Sequence, residues 1–303
     1  MEFPKLSIEK LIERIQAPKG KIRMVLDTDT YNEVDDQFAL AYALRSPESM
    51  TVEAIYAAPF LNDRSKSPEE GMEKSYDEIL KILKLLKVPQ EGSVYRGSRN
   101  YLKDSNTPQE SEAARDLVKK AMTCGEEPLY VVAIGAITNV ASAILIEPKI
   151  IEKIVVVWLG GNEITYPHTM EFNLMQDIHA SRLIFDCGVP LIHLPCNRVT
   201  THLLTTVPEL EYYLKGKSEI GTYLTEIVSN YKDKGFAWSK VIWDIVTIAW
   251  LINPEWVSTI MVHSPILTDH LTWSFDSKRH FISTATELDR DKIFGDLFKK
   301  LAE

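Results

Sequence analysis

The sequence predicts an α/β protein with a mostly parallel, mixed central sheet and helices on both faces. Two observations favour this class. Short apolar runs, typical of buried strands, alternate along the chain with longer segments of helical periodicity. Polar residues follow several of these runs directly, at the strand ends where open α/β sheets bind their ligands. The 303 residues contain no obvious linker, so we expect a single domain over residues 1–303.

Strands are predicted where a short apolar run is bounded by loop or turn residues. A charged, helix-like segment over residues 1–21 precedes the first of them. The predicted strands cover residues 22–26, 51–58, 94–99 (a short strand with its turn), 129–134, 150–159 and 190–194. A small β element is also predicted near residues 257–262 and 279–283.

Helices are predicted where apolar residues recur with a helical period or where helix-forming residues dominate. They cover residues 37–44, 68–86, 111–122, 176–185, 218–231 and about 241–251, with one more starting at Val140. Gly125 marks the end of the helix over 111–122. A loop around residues 234–238 separates the last two helices.

Composition excludes several classes of protein. The formal net charge of -9 argues against a nucleic-acid partner, which requires a basic surface. No apolar run reaches transmembrane length, so we expect no membrane partner. The three cysteines, Cys124, Cys187 and Cys196, form no CxxC pair and favour buried thiols in a reducing compartment. We therefore expect a cytoplasmic protein.

Five carboxylates follow the first predicted strand and lead into the first predicted helix. They are Asp27, Asp29, Glu33, Asp35 and Asp36. A single acidic residue at this place is usually a helix cap. Five within ten positions repel one another too strongly for a helix dipole to offset. An all-oxygen cluster of this kind favours a hard cation such as Ca²⁺ or Mg²⁺.

Further polar residues fall after later strands or within an apolar segment. Those at predicted strand ends are Asn62, Thr138, Asn139, Glu171 and Asn173. Asp244 instead lies within the apolar segment 241–251. A carboxylate in such surroundings has to be paired, to cap a helix or to bind a metal. The sequence leaves these three roles for Asp244 open.

Taken together and in this order, the motifs resemble the inosine-uridine nucleoside hydrolase family, calcium-dependent enzymes that cleave the N-glycosidic bond of ribonucleosides. The matching segments are Asp27-Thr-Asp29, Asp35-Asp36, Ile137-Thr138-Asn139, Glu171-Phe172-Asn173 and Asp244. The resemblance implies a Rossmann-like nucleoside hydrolase fold, a small nucleoside or N-riboside as substrate and a role in purine or pyrimidine salvage. It also implies a homodimer or homotetramer.

The resemblance implies a role for each matching position. Ca²⁺ would be bound by Asp29, Asp36, the carbonyl group of Thr138 and Asp244. Asp29 would also act as general base towards a calcium-bound water. The ribose hydroxyls would be held by Asp35, Asn62, Glu171 and Asn173. Asp27 would support the ligands from behind.

The sequence departs from the family pattern at two places. The turn Thr30-Tyr-Asn-Glu-Val34 is longer than the family's Pro-Gly-x, which predicts a bulged loop that adds Asn32 or Glu33 to the pocket. Several members carry a histidine directly before the late aspartate, to protonate the departing base. Here this residue is Trp243, which can stack on a base but cannot donate a proton to it in that way. His168 is the first histidine to test as a replacement.

Two alternatives remain at this point. Asp27-Thr-Asp29-Thr30 also satisfies the nucleophile motif of haloacid dehalogenase phosphatases, in which Asp27 would attack phosphorus and Asp29 would act as acid and base. The second alternative is a protein of the nucleoside hydrolase fold that binds Ca²⁺ and a ribosyl ligand with little or no turnover.

Overall fold

The computed structural model describes residues 3–231 and 235–303. Its strands are β1 (Ile22–Thr28), β2 (Met50–Ala57), β3 (Val94–Arg96), β4 (Leu129–Ala133), β5 (Ile154–Leu159), β6 (Leu191–Leu194), β7 (Leu204–Thr205), β8 (Lys240–Val241), β9 (Val257–His263), β10 (Ile266–Leu267), β11 (Trp273–Ser274) and β12 (Phe281–Leu288). Eight of them form one sheet in the order β3-β2-β1-β4-β5-β6-β12-β9. All neighbours in this sheet are parallel except β12 and β9. The expected fold class is confirmed.

Helices cover both faces of this sheet. They are α1 (Ile8–Arg14), α2 (Asp36–Leu44), α3 (Pro68–Leu85), α4 (Glu112–Met122), α5 (Thr138–Ile146), α6 (Phe172–Gln176), α7 (Ile178–Asp186), α8 (Val207–Tyr213), α9 (Glu219–Ser229), α10 (Ile245–Ile252) and α11 (Arg290–Ala302). Three short 3₁₀-helices cover Pro148–Glu152, Thr200–His202 and Pro254–Trp256. None of the described helices combines the length and the apolar character that crossing a membrane requires.

The core has two layers because successive side chains of a strand point to opposite faces. In β1, Met24 and Leu26 pack with α2, α9, α10 and α11, whereas Val25 packs on the other face with α4, α5 and α7. Both faces of β1 are buried from Met24 to Thr28. An apolar run that lacks alternation, such as Ile22–Leu26, is typical of a strand buried in this way.

Three predicted elements need correction. The strand predicted over 150–159 begins only at Ile154, because Pro148–Glu152 forms a 3₁₀-helix. The helix predicted over 176–185 is interrupted by Asp177, whose side chain accepts a hydrogen bond from the Ala180 N–H and caps a new helix, α7. The predicted loop at 234–238 is described only from residue 235.

The remaining correction bears on the site. The helix predicted from about residue 241 begins at Ile245, because Lys240 and Val241 pair with Thr205 and Leu204 in a short antiparallel ladder. The small β element predicted near 257–262 and 279–283 is confirmed as β9 and β12, and it completes the central sheet because β12 pairs with β6. The helices α8 and α11 were not predicted.

A close backbone approach at Gly97 joins three strand ends. A Cβ atom at this position would lie 2.0 Å from the Ala57 carbonyl oxygen and 2.5 Å from Asn139 Nδ2. Asn139 Oδ1 accepts hydrogen bonds from the Ser98 N–H and hydroxyl group, and its Nδ2 donates to Asp27 Oδ1 at 2.8 Å. Because Gly97 has no side chain, Asn139 can approach closely and link the end of β3 to the end of β1.

We expect Gly97→Ala to lower the free energy of unfolding by about 1–3 kcal/mol, because the added methyl group meets backbone that cannot move easily. Urea unfolding followed by circular dichroism measures this change. Gly125→Ala is the matched control, since nothing lies within 4 Å of its added Cβ. Equal stability of the two variants would show that the Gly97 contact carries no strain.

Candidate active site

A cavity of about 750 Å³ opens at the carboxyl ends of the central strands. Residues that follow β1, β2, β4 and β5 form its floor and one side. Segments near α9 and the start of α10 form the other side. The polar and aromatic residues that line it are Tyr31, Asn32, Glu33, Asp35, Asp36, Gln37, Asn62, Asp63, Arg64, Glu78, Lys81, Glu171, Phe172, Asn173, Asn197, Tyr223, Asn230, Tyr231, Trp243 and Asp244.

Three aspartates from two distant parts of the chain meet in this cavity. Asp35, Asp36 and Asp244 each offer a carboxylate oxygen, and these oxygens lie within 4.8 Å of one another. Asp35 and Asp244 occupy the N-cap positions of α2 and α10, yet neither side chain caps its own helix. Both side chains are thus free to face the cluster. The capping role that the sequence left open for Asp244 is therefore not the one it adopts.

Asp29 lies beside this group and is fully buried. Neither of its carboxylate oxygens has a hydrogen-bond partner among the described residues. Gly135, just after β4, packs so closely that an added Cβ would be 2.9 Å from the Asp29 Cγ. A buried carboxylate without partners costs several kcal/mol unless a cation or proton compensates for it.

The pKa values of these carboxylates reflect their burial and mutual repulsion. Burial, followed by the charges of Asp36, Asp35 and Asp27, raises the pKa of Asp29 well above its usual range. Burial and the charges of Asp35, Asp36 and Asp29 do the same to the pKa of Asp244. These mutual effects show that Asp29, Asp36 and Asp244 share one region, as a common ion requires.

Two neighbouring carboxylates are less perturbed because each has a partner. Burial raises the pKa of Asp35 to about 6, while the positive charge of Lys240 opposes the shift. Burial raises the pKa of Asp27 to about 7, while the hydrogen bond from Asn139 opposes it. Asp27 and Asp29 are both fully buried, and neither is among the residues that line the cavity.

The donor set fits a hard divalent cation. The carboxylates that lie close enough to share an ion, those of Asp35, Asp36 and Asp244, supply only oxygen ligands, and the buried carboxylate of Asp29 lies beside them. Thr138 begins α5, three residues beyond the Gly135 that packs on Asp29. The Thr138 hydroxyl group donates to Asp177 at 2.8 Å, so its side chain is engaged elsewhere and only its backbone remains as a candidate ligand.

The residues expected on the ribose side all line the cavity. Glu171 accepts hydrogen bonds from the N–H groups of Gly161, Asn173 and Leu174, which fix its carboxylate at the start of α6. Asn173 Nδ2 donates to the carbonyl oxygens of Ile134 and Leu159, which follow β4 and end β5. The backbone at these strand ends therefore fixes both side chains.

The longer turn after β1 also enters the cavity, and the prediction for Asn32 and Glu33 is confirmed. Asn32 Oδ1 accepts a hydrogen bond from Asn62 Nδ2 at 2.7 Å, which positions the Asn62 side chain. Glu33 Oε2 accepts from Lys240 Nζ at 2.6 Å, and Glu33 Oε1 accepts from the Tyr231 hydroxyl group at 2.6 Å.

The far wall of the cavity was not found from the sequence. It carries Tyr31, Arg64, Glu78, Lys81 and Tyr223. The Arg64 guanidinium lies 4.3 Å from the centre of the Tyr31 ring, and the Tyr223 hydroxyl group accepts from Lys81 and donates to Glu78. Tyr223 lies on α9. The others lie on a loop and a helix whose charge pattern resembles an ordinary solvated surface.

No histidine lines the cavity in the part of the chain that the structure describes. His168 lies outside the lining, and its Nδ1 accepts a hydrogen bond from the Met170 N–H at 3.3 Å. Trp243 does line the cavity, and its backbone N–H donates to Asp35 Oδ2 at 3.4 Å. The position before Asp244 therefore supplies an aromatic surface instead of an acid.

Fold and site together define an α/β protein that gathers buried carboxylates at the carboxyl edge of a parallel sheet. The sequence pattern of the family "Inosine-uridine preferring nucleoside hydrolase" matches residues 24–295. The chain therefore belongs to this family and is a hydrolase of N-glycosyl compounds that cleaves the N-glycosidic bond of ribonucleosides. Family membership excludes the phosphatase alternative, as does the burial of Asp27 beneath Asn139.

Individual relatives agree with this assignment. The pyrimidine-specific ribonucleoside hydrolase RihA of Salmonella paratyphi A is 26% identical over 265 residues, which cover 78% of this chain and 81% of that protein. The purine-preferring ribonucleoside hydrolase from Gardnerella vaginalis has a similar fold, with a TM-score of 0.76 and 19% identity over 92% of this chain and 98% of that one. The inosine-uridine preferring nucleoside hydrolase from Bacillus anthracis has a TM-score of 0.66 and 15% identity, over 94% and 99% of the two chains.

We expect the metal-stripped protein to bind one Ca²⁺ ion and to become more resistant to heat on binding it, because an ion offsets the repulsion among the buried carboxylates. Asp244→Asn removes one charge and should weaken binding at least tenfold by titration calorimetry. Asp63→Asn is the matched control, since Asp63 is an exposed acid on the cavity lining and should leave the affinity unchanged. Equal affinities of the two variants would remove Asp244 from the ion site.

Proposed function

We propose that the chain hydrolyses ribonucleosides, or related N-ribosides, with Ca²⁺ as its metal ion and Asp29 as the general base. The observation that carries this proposal is the meeting of Asp35, Asp36 and Asp244, whose carboxylate oxygens lie within 4.8 Å of one another, beside the buried carboxylate of Asp29. The carbonyl group of Thr138 would complete the protein ligands. When bound, an ion of this kind positions a water molecule and lowers its pKa.

Asp29 is suited to the base role by its surroundings. Its two oxygens have no hydrogen-bond donor among the described residues, so one of them can accept a proton from the attacking water. Asp27 lies two residues earlier with one oxygen held by Asn139, and it holds the strand end in place. Loss of this proton to Asp29 makes the attacking water a nucleophile towards the anomeric carbon.

The ribose would be recognised by residues that the scaffold already fixes. Asp35, Asn62, Glu171 and Asn173 line one cavity and offer acceptors and donors to the sugar hydroxyls. Departure of the base leaves positive charge on the ribose ring, as an oxocarbenium-like centre. The surrounding carboxylates stabilise this charge where it forms, without having to reorganise.

The base half of the site is the part in which this chain differs from the pattern of several family members. Trp243 provides a surface for stacking, and Tyr31, Lys81 and Tyr223 face the same cavity. Protonation of the departing base cannot come from a histidine on the described lining. We therefore expect substrates whose leaving group needs no protonation to be hydrolysed most readily.

Three further expectations belong to this proposal. The whole chain, residues 1–303, acts as a single unit that assembles as a homodimer or homotetramer, as the family resemblance implies. The protein works in the cytoplasm, which suits three free and buried cysteines. Neither nucleic acid nor a membrane is its partner, since the net charge is -9.

We expect the calcium-loaded protein to hydrolyse p-nitrophenyl riboside faster than inosine, uridine or adenosine, because nitrophenolate leaves without a proton. Asp29→Ala should lower kcat for this substrate by about 10²–10⁴-fold, the usual contribution of a general base. Release of nitrophenolate measures kcat of the wild type and of Asp29→Ala for this riboside, and Asp63→Ala serves as control.

Near-normal rates for Asp29→Ala would remove Asp29 from the base role. A wild-type protein that binds Ca²⁺ and ribose but turns over none of the four substrates would favour the alternative of a binding protein without efficient catalysis.

A further inference from the structure

Lys240 is a buried cation at the edge of the active site. Its side chain is 6% exposed, and its backbone is fixed by pairing with Thr205 between β8 and β7. The Lys240 ammonium lies 2.6 Å from Glu33 Oε2 and 3.9 Å from Asp35 Oδ2. A buried ammonium is stable only when it is paired, so these two carboxylates determine where it lies.

An aromatic ring covers another side of the same ammonium. Lys240 Nζ lies 5.5 Å from the centre of the Tyr231 ring, within the range of a cation–π interaction. The Tyr231 hydroxyl group donates to the second oxygen of Glu33 at 2.6 Å. The Tyr231 ring also stacks on Trp238, with centroids 5.7 Å apart and planes 17° apart. Glu33 is thus held through both oxygens, and it holds Lys240 in turn.

The orientation of Asp35 depends on this arrangement. Asp35 does not cap its own helix, so α2 does not fix its side chain. Its Oδ2 atom instead faces Lys240 and accepts a hydrogen bond from the Trp243 N–H at 3.4 Å. Both contacts come from one short segment, residues 240–243, and both act on the same oxygen. They fix the plane of the carboxylate that lines the cavity.

We propose that Lys240, anchored by Glu33, is a positioning residue that orients Asp35 towards the hydroxyl groups of the ribose. This inference rests on the proposed assignment of Asp35 to the sugar. It also gives a physical reason for the longer turn after β1, since the added length carries Glu33 across to Lys240. The turn at residues 30–34 is thereby joined to the segment that leads into α10, and the cavity keeps its shape between them.

Lys240→Met tests the proposal, because it keeps the length of the side chain and removes the charge. The chain offers a matched control in Lys300→Met. Lys300 Nζ lies 2.5 Å from Glu48 Oε1, 3.5 Å from Asp296 Oδ2 and 5.6 Å from the Tyr42 ring, and none of these groups lines the cavity. The two variants lose the same kind of interaction, one beside Asp35 and one remote from it.

We expect Lys240→Met to raise KM for p-nitrophenyl riboside, and the inhibition constant of free ribose, by roughly ten- to hundredfold. The value of kcat should change less, and Lys240→Arg should restore part of the loss. Lys300→Met should leave both constants within twofold of the wild type.

A double-mutant cycle separates positioning from a general effect on the fold. In an Asp35→Asn background, Lys240→Met should change KM by less than about twofold, because the group it positions is already altered. The same shift in both backgrounds, or equal shifts for Lys240→Met and Lys300→Met, would overturn the proposal. Should Lys240→Met fail to fold by circular dichroism, Glu33→Gln replaces it, with the same direction of change expected.

Failure of this inference can be told apart from failure of the proposed function. If the wild-type protein does not hydrolyse p-nitrophenyl riboside, the proposed function fails first. If it does, and neither Lys240→Met nor Glu33→Gln changes ribose binding, only the positioning role is wrong.

Discussion

Repulsion among buried carboxylates is the constraint on which the rest of this site depends. Asp29, Asp35, Asp36 and Asp244 are each less than 4% exposed, and they perturb one another's pKa. The N-termini of α2 and α10 reduce this repulsion only slightly, because a helix dipole contributes under about 1 kcal/mol at such a place. Lys240 offsets a single charge. The remaining repulsion fits the divalent cation that we propose, which would make the cluster a site for the ion as much as for the substrate.

The parallel sheet explains how residues so far apart in the sequence can meet. β1 lies between β2 and β4, so the segments after these strands form one continuous edge. Asn139 links the ends of β1 and β3, and Asn173 links the backbone after β4 to the end of β5. Asp244 reaches this edge on the first turn of α10. The proposed sugar half of the site is therefore built on strand-end backbone, whereas side chains from a turn and two helices would form the base half.

Much of the fold and of the site was predictable from residue patterns, and the parts that were not predicted have physical causes. The acidic cluster after β1 was evident because five carboxylates after an apolar strand have few structural explanations. Lys240 was missed because its partners lie about 200 residues earlier, and a lone lysine before an apolar helix gives no local signal. The start of α10 was misplaced since a two-residue ladder with β7, which only tertiary structure creates, displaced it. Glu78 and Lys81 on the cavity wall were missed because charged residues on a helix usually face solvent.

The central claim is that one ion and one sugar bind together at the aspartate cluster. A crystal structure of the protein soaked with Ca²⁺ and ribose, with anomalous scattering to locate the ion, tests this claim. We expect a single ion that contacts Asp29, Asp36, Asp244 and the Thr138 carbonyl oxygen, with two ribose hydroxyls on the same ion. An ion elsewhere, or a sugar bound away from these aspartates, would contradict the account.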